Sequence, residues 1–296
     1  MTQRFFTVVN PRGGIQAGPA VLQSVLPIFS AAGITLDVHE THAGGHATEL
    51  ARSFDDRRYT GVCVFGGDGT VHEVVNGLLQ RDHPVHLPLG IIPAGTGNTL
   101  HVEIGCDTPQ TAAQRIVGGQ TSPLDVMRVT LSDRVVYCIN IVGWGAVADI
   151  NRTAEKLRWL GPRRYTLSAL WHILIPHRRR IRLQHSGQVS EADYLFVIAC
   201  NTQHTGKGMR LAPRAKIHDG LIDLVIVRQA SRWQMIELFR KVFDGTHLSL
   251  GCLEYHQVPS FQLESTGEDP LNLDGEMIGR TPLSVEVLPG ALQVYC

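Results

Sequence analysis

The chain has 296 residues, about twice the length of an ordinary domain, and we expect two domains. Its 27 Lys and Arg balance 27 Asp and Glu, and this zero formal net charge argues against a nucleic-acid-binding protein. With 43% hydrophobic and 18% charged residues the chain is not disordered, and no apolar run reaches the ~18 residues of a bilayer-spanning helix. Six cysteines without a close pair argue against a zinc ribbon and favour a reducing, cytoplasmic compartment.

The N-terminal part of the chain alternates between strand and helix patterns. Apolar runs predict strands at 5–9, 34–39, 61–65 and 89–92, and helical spacing of apolar residues predicts helices near 21–29, 46–54 and 71–79. Strands that alternate with helices indicate βαβ units and a mainly parallel sheet. We therefore predict an α/β domain over residues 1–124.

The C-terminal part is rich in short strands, predicted at 126–129, 135–142, 194–200, 221–227, 260–264 and 283–288. Helical patterns occur there at 151–175 and 232–243. We predict a β-rich, antiparallel second domain over residues 125–296, and its last strand can return to the first domain.

Three of the first domain's strands end in glycine-bearing turns, at 10–14, 66–70 and 94–98. Ligands bind at the carboxyl ends of strands in α/β sheets, and glycine lets backbone N–H groups approach phosphate oxygens. None of the turns matches the P-loop or the dinucleotide-binding fingerprint. Asp68 stands among these glycines, where a carboxylate repels phosphate unless it holds Mg²⁺ or receives a proton. We therefore expect phosphoryl transfer.

These motifs carry a family resemblance. Asn-Pro-Arg-Gly-Gly at 10–14, Gly-Gly-Asp-Gly-Thr-Val-His-Glu-Val-Val-Asn-Gly-Leu at 66–78 and Pro-Ala-Gly-Thr-Gly-Asn at 93–98 resemble the catalytic domain of diacylglycerol kinases, a family that includes sphingosine and ceramide kinases. The match continues at 218–223 and 273–276, and the segments 140–151 and 155–164 look most like sphingosine kinases. Two alternatives remain, an NAD kinase, which shares the Asp loop and fold, and a nucleotide-binding regulator without activity.

The resemblance implies an ATP site in the cleft between the two domains. The residues that it assigns to the nucleotide come from the glycine loops, from the segment 41–44 and from the basic stretch 155–164. They are Asn10, Pro11, Arg12, Gly13, Gly14, Thr41, His42, Ala43, Gly44, Gly66, Gly67, Gly69, Thr70, Glu73, Gly95, Thr96, Gly97, Asn98, Arg158, Arg164 and Gly275.

The same resemblance implies two catalytic carboxylates and a bound Mg²⁺. Asp68 matches the position that sphingosine kinases use as base, and Glu276 matches the base of bacterial diacylglycerol kinases. The bacterial enzymes also suggest a structural Mg²⁺ held by the Asp219 carboxylate and the carbonyls of Lys216 and Leu221. A simple Asp-Gly turn explains Asp219 equally well.

The segment 140–151 resembles the lipid head-group lining of sphingosine kinases and makes Asp149 and Asn151 the candidate substrate residues. Sphingosine kinases generally carry an acidic residue at position 151, and Asn lacks the charge that favours an ammonium. Asp149 can substitute if the two side chains share one face of a strand. We expect a lipid primary alcohol as substrate, a sphingoid base slightly ahead of diacylglycerol.

The apolar residues between 167 and 175, followed by basic residues up to Arg182, form a candidate membrane-binding helix. The alternative is a helix that packs on its own sheet beside a solvated basic strand. We expect an ATP- and Mg²⁺-dependent lipid kinase that is cytoplasmic, contacts the membrane peripherally, and has no nucleic-acid partner. The patterns leave open whether it forms an oligomer.

Overall fold

A computed structural model of the chain describes residues 3–13, 17–95, 97–161, 163–206 and 208–296. It divides into two compact units. Met1–Val126 together with Pro289–Cys296 form the first unit, and Met127–Leu288 form the second.

The first unit is built on a parallel sheet. Its strands are β1 (Gln3–Val9), β2 (Ile34–Glu40), β3 (Gly61–Gly66) and β4 (Leu89–Pro93), in the order β2-β1-β3-β4. Every residue of β3 and β4 is buried, as expected of strands covered by helices on both faces. Near the end of the chain Val294 pairs in parallel with Leu89 of β4.

Among the described residues of this unit there are five α-helices and a short 3-10 helix (Asp56–Arg58). They are α1 (Gly18–Ala31), α2 (His46–Ser53), α3 (Asp68–Leu79), α4 (Thr99–Glu103) and α5 (Pro109–Gly118). In α3 the apolar residues at 71, 74, 75 and 78 are all buried, as their helical spacing predicts. The sequence patterns did not predict α4 and α5, because α4 has one turn and α5 buries only Ala112, Ala113 and Ile116.

The second unit contains two antiparallel sheets. Its chain supplies β5 (Thr121–Leu131, begun in the first unit), β6 (Val135–Cys138), β7 (Ile141–Gly145), β8 (Arg179–His185), β9 (Gln188–Tyr194), β10 (Phe196–Cys200), β11 (Ile222–Val227), β12 (Glu254–Val258), β13 (Ser260–Ser265), β14 (Pro270–Leu273), β15 (Glu276–Arg280) and β16 (Leu283–Tyr295, which ends in the first unit). One sheet has the order β12-β11-β10-β7-β14-β15, and the other joins β9, β8, β13 and the first part of β16. Apolar side chains from both sheets, such as Trp144, Leu183 and Phe261, share one core.

The part of the second unit that the structure describes also contains α6 (Ala146–Lys156), α7 (Arg163–Leu174) and α8 (Arg232–Lys241), with 3-10 helices at Arg158–Leu160 and Thr246–Ser249. Ala146, Ile173, Met235 and Leu238 pack these helices against β10 and β11. The predicted fold class, an α/β domain followed by an antiparallel β-rich domain, is confirmed.

Several predicted elements of the second unit were wrong in detail. The strand predicted at 135–142 is two strands, because residues 139–141 turn their N–H groups toward the carboxylate of Asp274. The helix predicted at 151–175 begins earlier, at Ala146, and is broken into α6, a 3-10 turn and α7. Strands β8, β12, β14 and β15 and most of β9 were missed. Buried and exposed residues do alternate in β8, but its arginines were assigned to the basic cluster of the candidate membrane helix, and the other strands are short or rich in polar residues.

Candidate active site

The loops that follow β1 to β4 meet at one edge of the parallel sheet. The N–H of Thr41 donates to the last carbonyl of β1 at 2.9 Å, and the N–H of Asn10 donates to β3 at 3.0 Å. The N–H of Ala94 donates to the last carbonyl of β3 at 3.1 Å. Most of the residues that the sequence assigned to the nucleotide are therefore neighbours at the carboxyl ends of the strands, where α/β sheets bind ligands.

Two polar side chains join these loops to one another. The Asn10 amide donates to the Thr70 hydroxyl at 2.9 Å, while its carbonyl oxygen accepts from the N–H of Arg12 at 3.0 Å. The Arg12 guanidinium donates to the carbonyl of His42 at 3.2 Å. Asn10 and Arg12 thus fix the shape of the loops through contacts within the protein.

Gly67 and Gly95 are required because two loops touch. A Cβ on Gly95 would lie 2.4 Å from the Cα of Gly67, and a Cβ on Gly67 would lie 3.1 Å from the Cα of Gly95. Contacts this short leave no room for a methyl group between two backbones. These glycines therefore serve loop packing in the first place, a role that the sequence motif alone did not reveal.

Asp68 is the first residue of α3, and its carboxylate is hydrogen-bonded to Thr99 in the segment that follows β4. Its carboxylate accepts the backbone N–H of Thr99 at 2.9 and 3.1 Å and the Thr99 hydroxyl at 3.0 Å. The N–H of Asp68 donates to the carbonyl of Gly97 at 3.2 Å. The start of a helix, with its backbone N–H groups and positive dipole end, favours an anion such as a phosphate group, and the carboxylate is fixed beside it.

Glu73, which the sequence assigned to the nucleotide, has a structural partner. Its carboxylate accepts the N–H groups of Gly45 at 2.9 Å and Ala47 at 3.1 Å, at the start of α2. The Thr48 hydroxyl donates to the backbone carbonyl of Glu73 at 3.0 Å. Glu73 therefore caps α2 and positions the segment 41–45.

In the second unit, Asp149 and Asn151 lie on α6 and not on a strand, so the expectation that they share one face was wrong. Residues two apart on a helix point about 200° from each other. The Asp149 carboxylate is 3% exposed and forms ion pairs with Arg179 at 2.7 Å and Arg152 at 3.3 Å. Its charge is therefore already compensated by two guanidinium groups.

Asn151 contacts the turn between β14 and β15. Its side-chain amide donates to the carbonyl of Gly275, and the N–H of Gly275 donates to the Asn272 side chain at 2.8 Å. Gly275 has a φ of +96°, a value that favours glycine. Glu276 follows it, exposed, as the first residue of β15.

The remaining nucleotide candidates are placed as follows. Arg164 pairs with Glu155 at 3.4 Å and lies over the ring of Tyr165. Pro11 and Gly13 lie in the turn after β1, and His42, Ala43 and Gly44 lie in the exposed loop after β2. Gly66 is the last residue of β3, Gly69 is the second residue of α3, and Asn98 directly precedes α4. Gly14 and Thr96 lie outside the described residues, as does the side chain of Arg158.

Two family models match the chain, one for each part. The family model for the diacylglycerol kinase catalytic domain matches residues 4–129. The model for the YegS C-terminal NAD kinase beta sandwich-like domain matches residues 140–296. The second description places the likeness to NAD kinases in the fold of that domain.

Relatives of known class match over most of their length. A protein named as a YegS-like lipid kinase from Chromohalobacter salexigens is 34% identical over 266 residues, covering 88% of this chain and 84% of the relative. The chain belongs to the diacylglycerol kinase and YegS-like lipid kinase family. Sphingosine kinase 1 of Arabidopsis thaliana is 28% identical over 349 residues, covering 99% of this chain and 72% of the relative.

A solved structure extends the likeness to three dimensions. The crystal structure of a candidate diacylglycerol kinase from Bacillus anthracis has a TM-score of 0.82 and 26% identity, covering 99% of this chain and 97% of that one. The predicted activity class, a lipid kinase and thus a phosphotransferase, is confirmed, and membership implies that it uses ATP. Among the described helices of this lipid kinase, none is long and apolar enough to cross a bilayer.

The donor set around Asp219 fits a divalent cation. One carboxylate oxygen of Asp219 accepts the N–H of Leu221 at 3.1 Å, as in a simple turn, and Lys216 lies just upstream. The nearby Asp223 carboxylate is buried, and its Oδ2 has no hydrogen-bond partner among the described residues. Burial raises the pKa of Asp223 to about 6, and the charge of Asp219 contributes to that rise. Two neighbouring carboxylates, one with a buried oxygen left over, are the hard ligands that Mg²⁺ prefers.

Three residues that matter in this site were not found from the sequence. Thr99 holds Asp68, Arg179 neutralises Asp149, and Asp274 anchors the turn before Glu276. Asp274 lies in the recognised Leu-Asp-Gly-Glu motif and could have been singled out. Arg179 belongs to a basic run that the sequence suggested for membrane contact, and only the folded chain reveals its partner.

Proposed function

We propose that this lipid kinase transfers the γ-phosphoryl group of ATP to the primary hydroxyl of a neutral membrane lipid, with diacylglycerol as the substrate. The observation that carries the proposal is the pairing of Asp149 with Arg179 and Arg152. A sphingoid base brings an ammonium group, which needs a carboxylate to pair with. The acidic side chain of this segment is buried and already compensated, so it favours an uncharged head group.

Electrostatics support the same choice. Arg179 also pairs with Asp269 at 3.3 Å, so two carboxylates here face two guanidinium groups. An ammonium placed near Asp149 would therefore meet no net negative charge. Asn151 carries no charge, and its amide is engaged with Gly275. Diacylglycerol carries a hydroxyl and two ester groups and no charge. Such a head group needs only neutral hydrogen bonds from the protein.

The first unit supports the nucleotide part of the proposal. The loops around Asn10, Gly67 and Gly95 form a rigid edge with the start of α3, where phosphate groups are favoured. Asp68 is held by Thr99 with its carboxylate beside the helix start, and we assign to it the base that accepts the proton of the lipid hydroxyl. We assign the second catalytic carboxylate to Glu276.

We propose Mg²⁺ as the metal. The Asp219 carboxylate and the carbonyls of Lys216 and Leu221 would hold it, with Asp223 as a further oxygen donor. A divalent cation there would neutralise two acidic residues at the start of β11 and so stabilise the second unit.

Membrane contact is the remaining part of the proposal. Leu167, Leu170, Trp171 and Leu174 fall at i, i+3, i+4 and i+7 of α7, and all four are exposed. The opposite face of the helix is buried through Ser168, Ala169 and Ile173. An apolar stripe turned to solvent, followed by exposed His177 and Arg178, fits the interface of an anionic bilayer, where the lipid substrate resides.

A sphingoid base is the second candidate, since the motif resemblance and the Arabidopsis relative favour it. The test is a radiolabelled-ATP assay with diacylglycerol, ceramide and sphingosine presented in the same mixed micelles, with Asp68→Asn as the control for contaminating kinases. We expect a labelled product from diacylglycerol. Labelling of sphingosine in preference would overturn the neutral-lipid proposal, and labelling of ceramide in preference would overturn diacylglycerol alone.

A further inference from the structure

The turn between β14 and β15 is tied to the segment before β7 by Asp274. The Asp274 carboxylate accepts the backbone N–H groups of Ile139, Asn140 and Ile141 at 2.8–2.9 Å, and its own N–H donates to the carbonyl of Ile141 at 2.9 Å. Asp274 is buried and has a φ of +52°, which few residues other than Gly, Asn and Asp adopt. A carboxylate that accepts three N–H groups forms a strong, directed anchor.

Two amide side chains hold the next residue of the turn. From α6, the Asn151 amide donates to the carbonyl of Gly275, and Asn272 accepts the N–H of Gly275. Both peptide groups that flank Gly275 are therefore hydrogen-bonded to asparagine side chains. Asn151 and Asn272 are themselves buried, so water does not compete for these bonds.

Glu276 depends on this turn for its position. Its side chain is exposed. Among the described residues, no hydrogen bond or ion pair holds it in place. The backbone of the preceding residues therefore sets the point from which the Glu276 side chain extends. A displacement of the turn would move the carboxylate with it, and small displacements of catalytic groups are costly to reaction rates.

We infer that Asn151 and Asp274 are positioning residues that set the carboxylate of Glu276, and that Asn151 is not a ligand of the lipid head group. The inference rests on the proposed function in that it takes Glu276 as a catalytic carboxylate. It also accounts for Asn at position 151, because an aspartate there would direct a charged oxygen at the carbonyl of Gly275 and push the turn away.

The test is a double-mutant cycle on kcat, run with the lipid that the micelle assay identifies. Asn151→Asp should lower kcat at least tenfold, because the turn that carries Glu276 moves. In a Glu276→Gln background the same substitution should cost almost nothing, because the group that it positions is gone. Gln262→Glu, an amide-to-carboxylate change on the exposed side of β13, is the charge-matched control.

The outcomes separate the inference from the proposed function. If Glu276→Gln keeps wild-type kcat, the catalytic assignment of Glu276 fails, and the inference falls with it. If Glu276→Gln lowers kcat while Asn151→Asp does not, only the inference is overturned. The same holds if the double variant loses kcat by the product of the two single losses. If Asn151→Asp does not fold, the cycle is repeated with Asp274→Asn and with Asn151→Ser. Asn151→Gln retains the amide donor, so we expect it to keep a higher kcat than Asn151→Asp.

Discussion

The carboxylate of Asp68 accepts both the backbone N–H and the hydroxyl of Thr99. The two residues are 31 positions apart, and the bonds of 2.9–3.1 Å join the start of α3 to the start of α4. One threonine thus fixes both oxygens of the carboxylate that we assign to catalysis. Thr99 therefore orients the carboxylate, and Asp68 supplies the reacting group. Substitutions at the two positions test these roles separately.

Asp68→Asn should keep the fold and lose most of the activity. Asn retains an oxygen for the N–H of Thr99, and the hydroxyl of Thr99 can turn to accept from the new amide. Loss of a general base costs ~10²- to 10⁴-fold in rate. The measurement is kcat beside thermal unfolding, with Asp133→Asn, an exposed carboxylate in the β5–β6 turn, as control; near wild-type turnover in the folded variant would reject the assignment.

Thr99→Val should have a much smaller effect. It removes the hydroxyl donor and keeps the backbone N–H, so Asp68 loses one of its anchors. A hydrogen bond to a charged group contributes about 1.5 kcal/mol at the low end of its range, which corresponds to a roughly tenfold lower kcat. A loss as large as that of Asp68→Asn would mean that the hydroxyl itself takes part in the reaction.

Two glycine variants distinguish loop packing from phosphate binding. Gly95→Ala should destabilise the protein by about 1 to 3 kcal/mol, because the added methyl would lie 2.4 Å from the Cα of Gly67. Gly44→Ala meets no atom within 4 Å, so it should keep the melting temperature and weaken ATP binding about tenfold if the loop backbone approaches phosphate. Calorimetric titration with ATP decides; unchanged affinity in Gly44→Ala would remove the segment 41–44 from the nucleotide site.

Membrane binding should depend on the exposed stripe of α7. Leu174 is 52% exposed, and Leu174→Glu removes roughly 1 to 2 kcal/mol of apolar burial in the bilayer, about tenfold in partitioning. The assay is sedimentation with phosphatidylcholine vesicles that contain one third phosphatidylglycerol. Val189→Glu makes the same kind of change at a residue of similar exposure on β9 and should bind like wild type. Equal binding of both variants would contradict the assignment of α7.

Acid should destabilise the protein through His101. This histidine is 2% exposed, and burial lowers its pKa from 6.5 to about 4. The unfolded chain therefore takes up a proton before the folded one does, and the free energy of unfolding falls as the pH drops from about 6.5 to 4. At pH 4.5 the loss from this residue is about 2 to 3 kcal/mol relative to pH 7.5.

Urea unfolding at the two pH values measures this loss. His101→Leu keeps an apolar side chain of similar bulk and should reduce the acid-induced loss by that amount. The exposed His86→Leu is the control and should retain the wild-type difference. An identical pH dependence in His101→Leu and wild type would show that His101 is not the group responsible.

Local patterns in the sequence were enough to predict much of the fold. Strands β3 and β4 are apolar throughout and end at glycine or proline, and α3 has a regular apolar stripe, so each could be recognised without tertiary information. The glycine spacing also singled out Asp68. The partners could not be predicted, because Arg179 is 30 residues from Asp149 and the N–H groups that Asp274 accepts are 133–135 residues away. Such pairs depend on how whole strands and helices pack, which no short pattern records.

Strand β16 gives its first residues to the second unit and its last to the first, where Val294 pairs with Leu89 and the N–H of Cys296 donates to the carbonyl of Gln120. During synthesis the ribosome releases the first unit's main segment while these last residues are still unmade. At about 5 to 20 residues per second, the outer edge of β4 stays unpaired for about 10 to 40 seconds before Val294 is synthesised. An unpaired strand edge can pair with other chains and so promote aggregation. During this interval the nascent protein exposes an edge that a chaperone could cover.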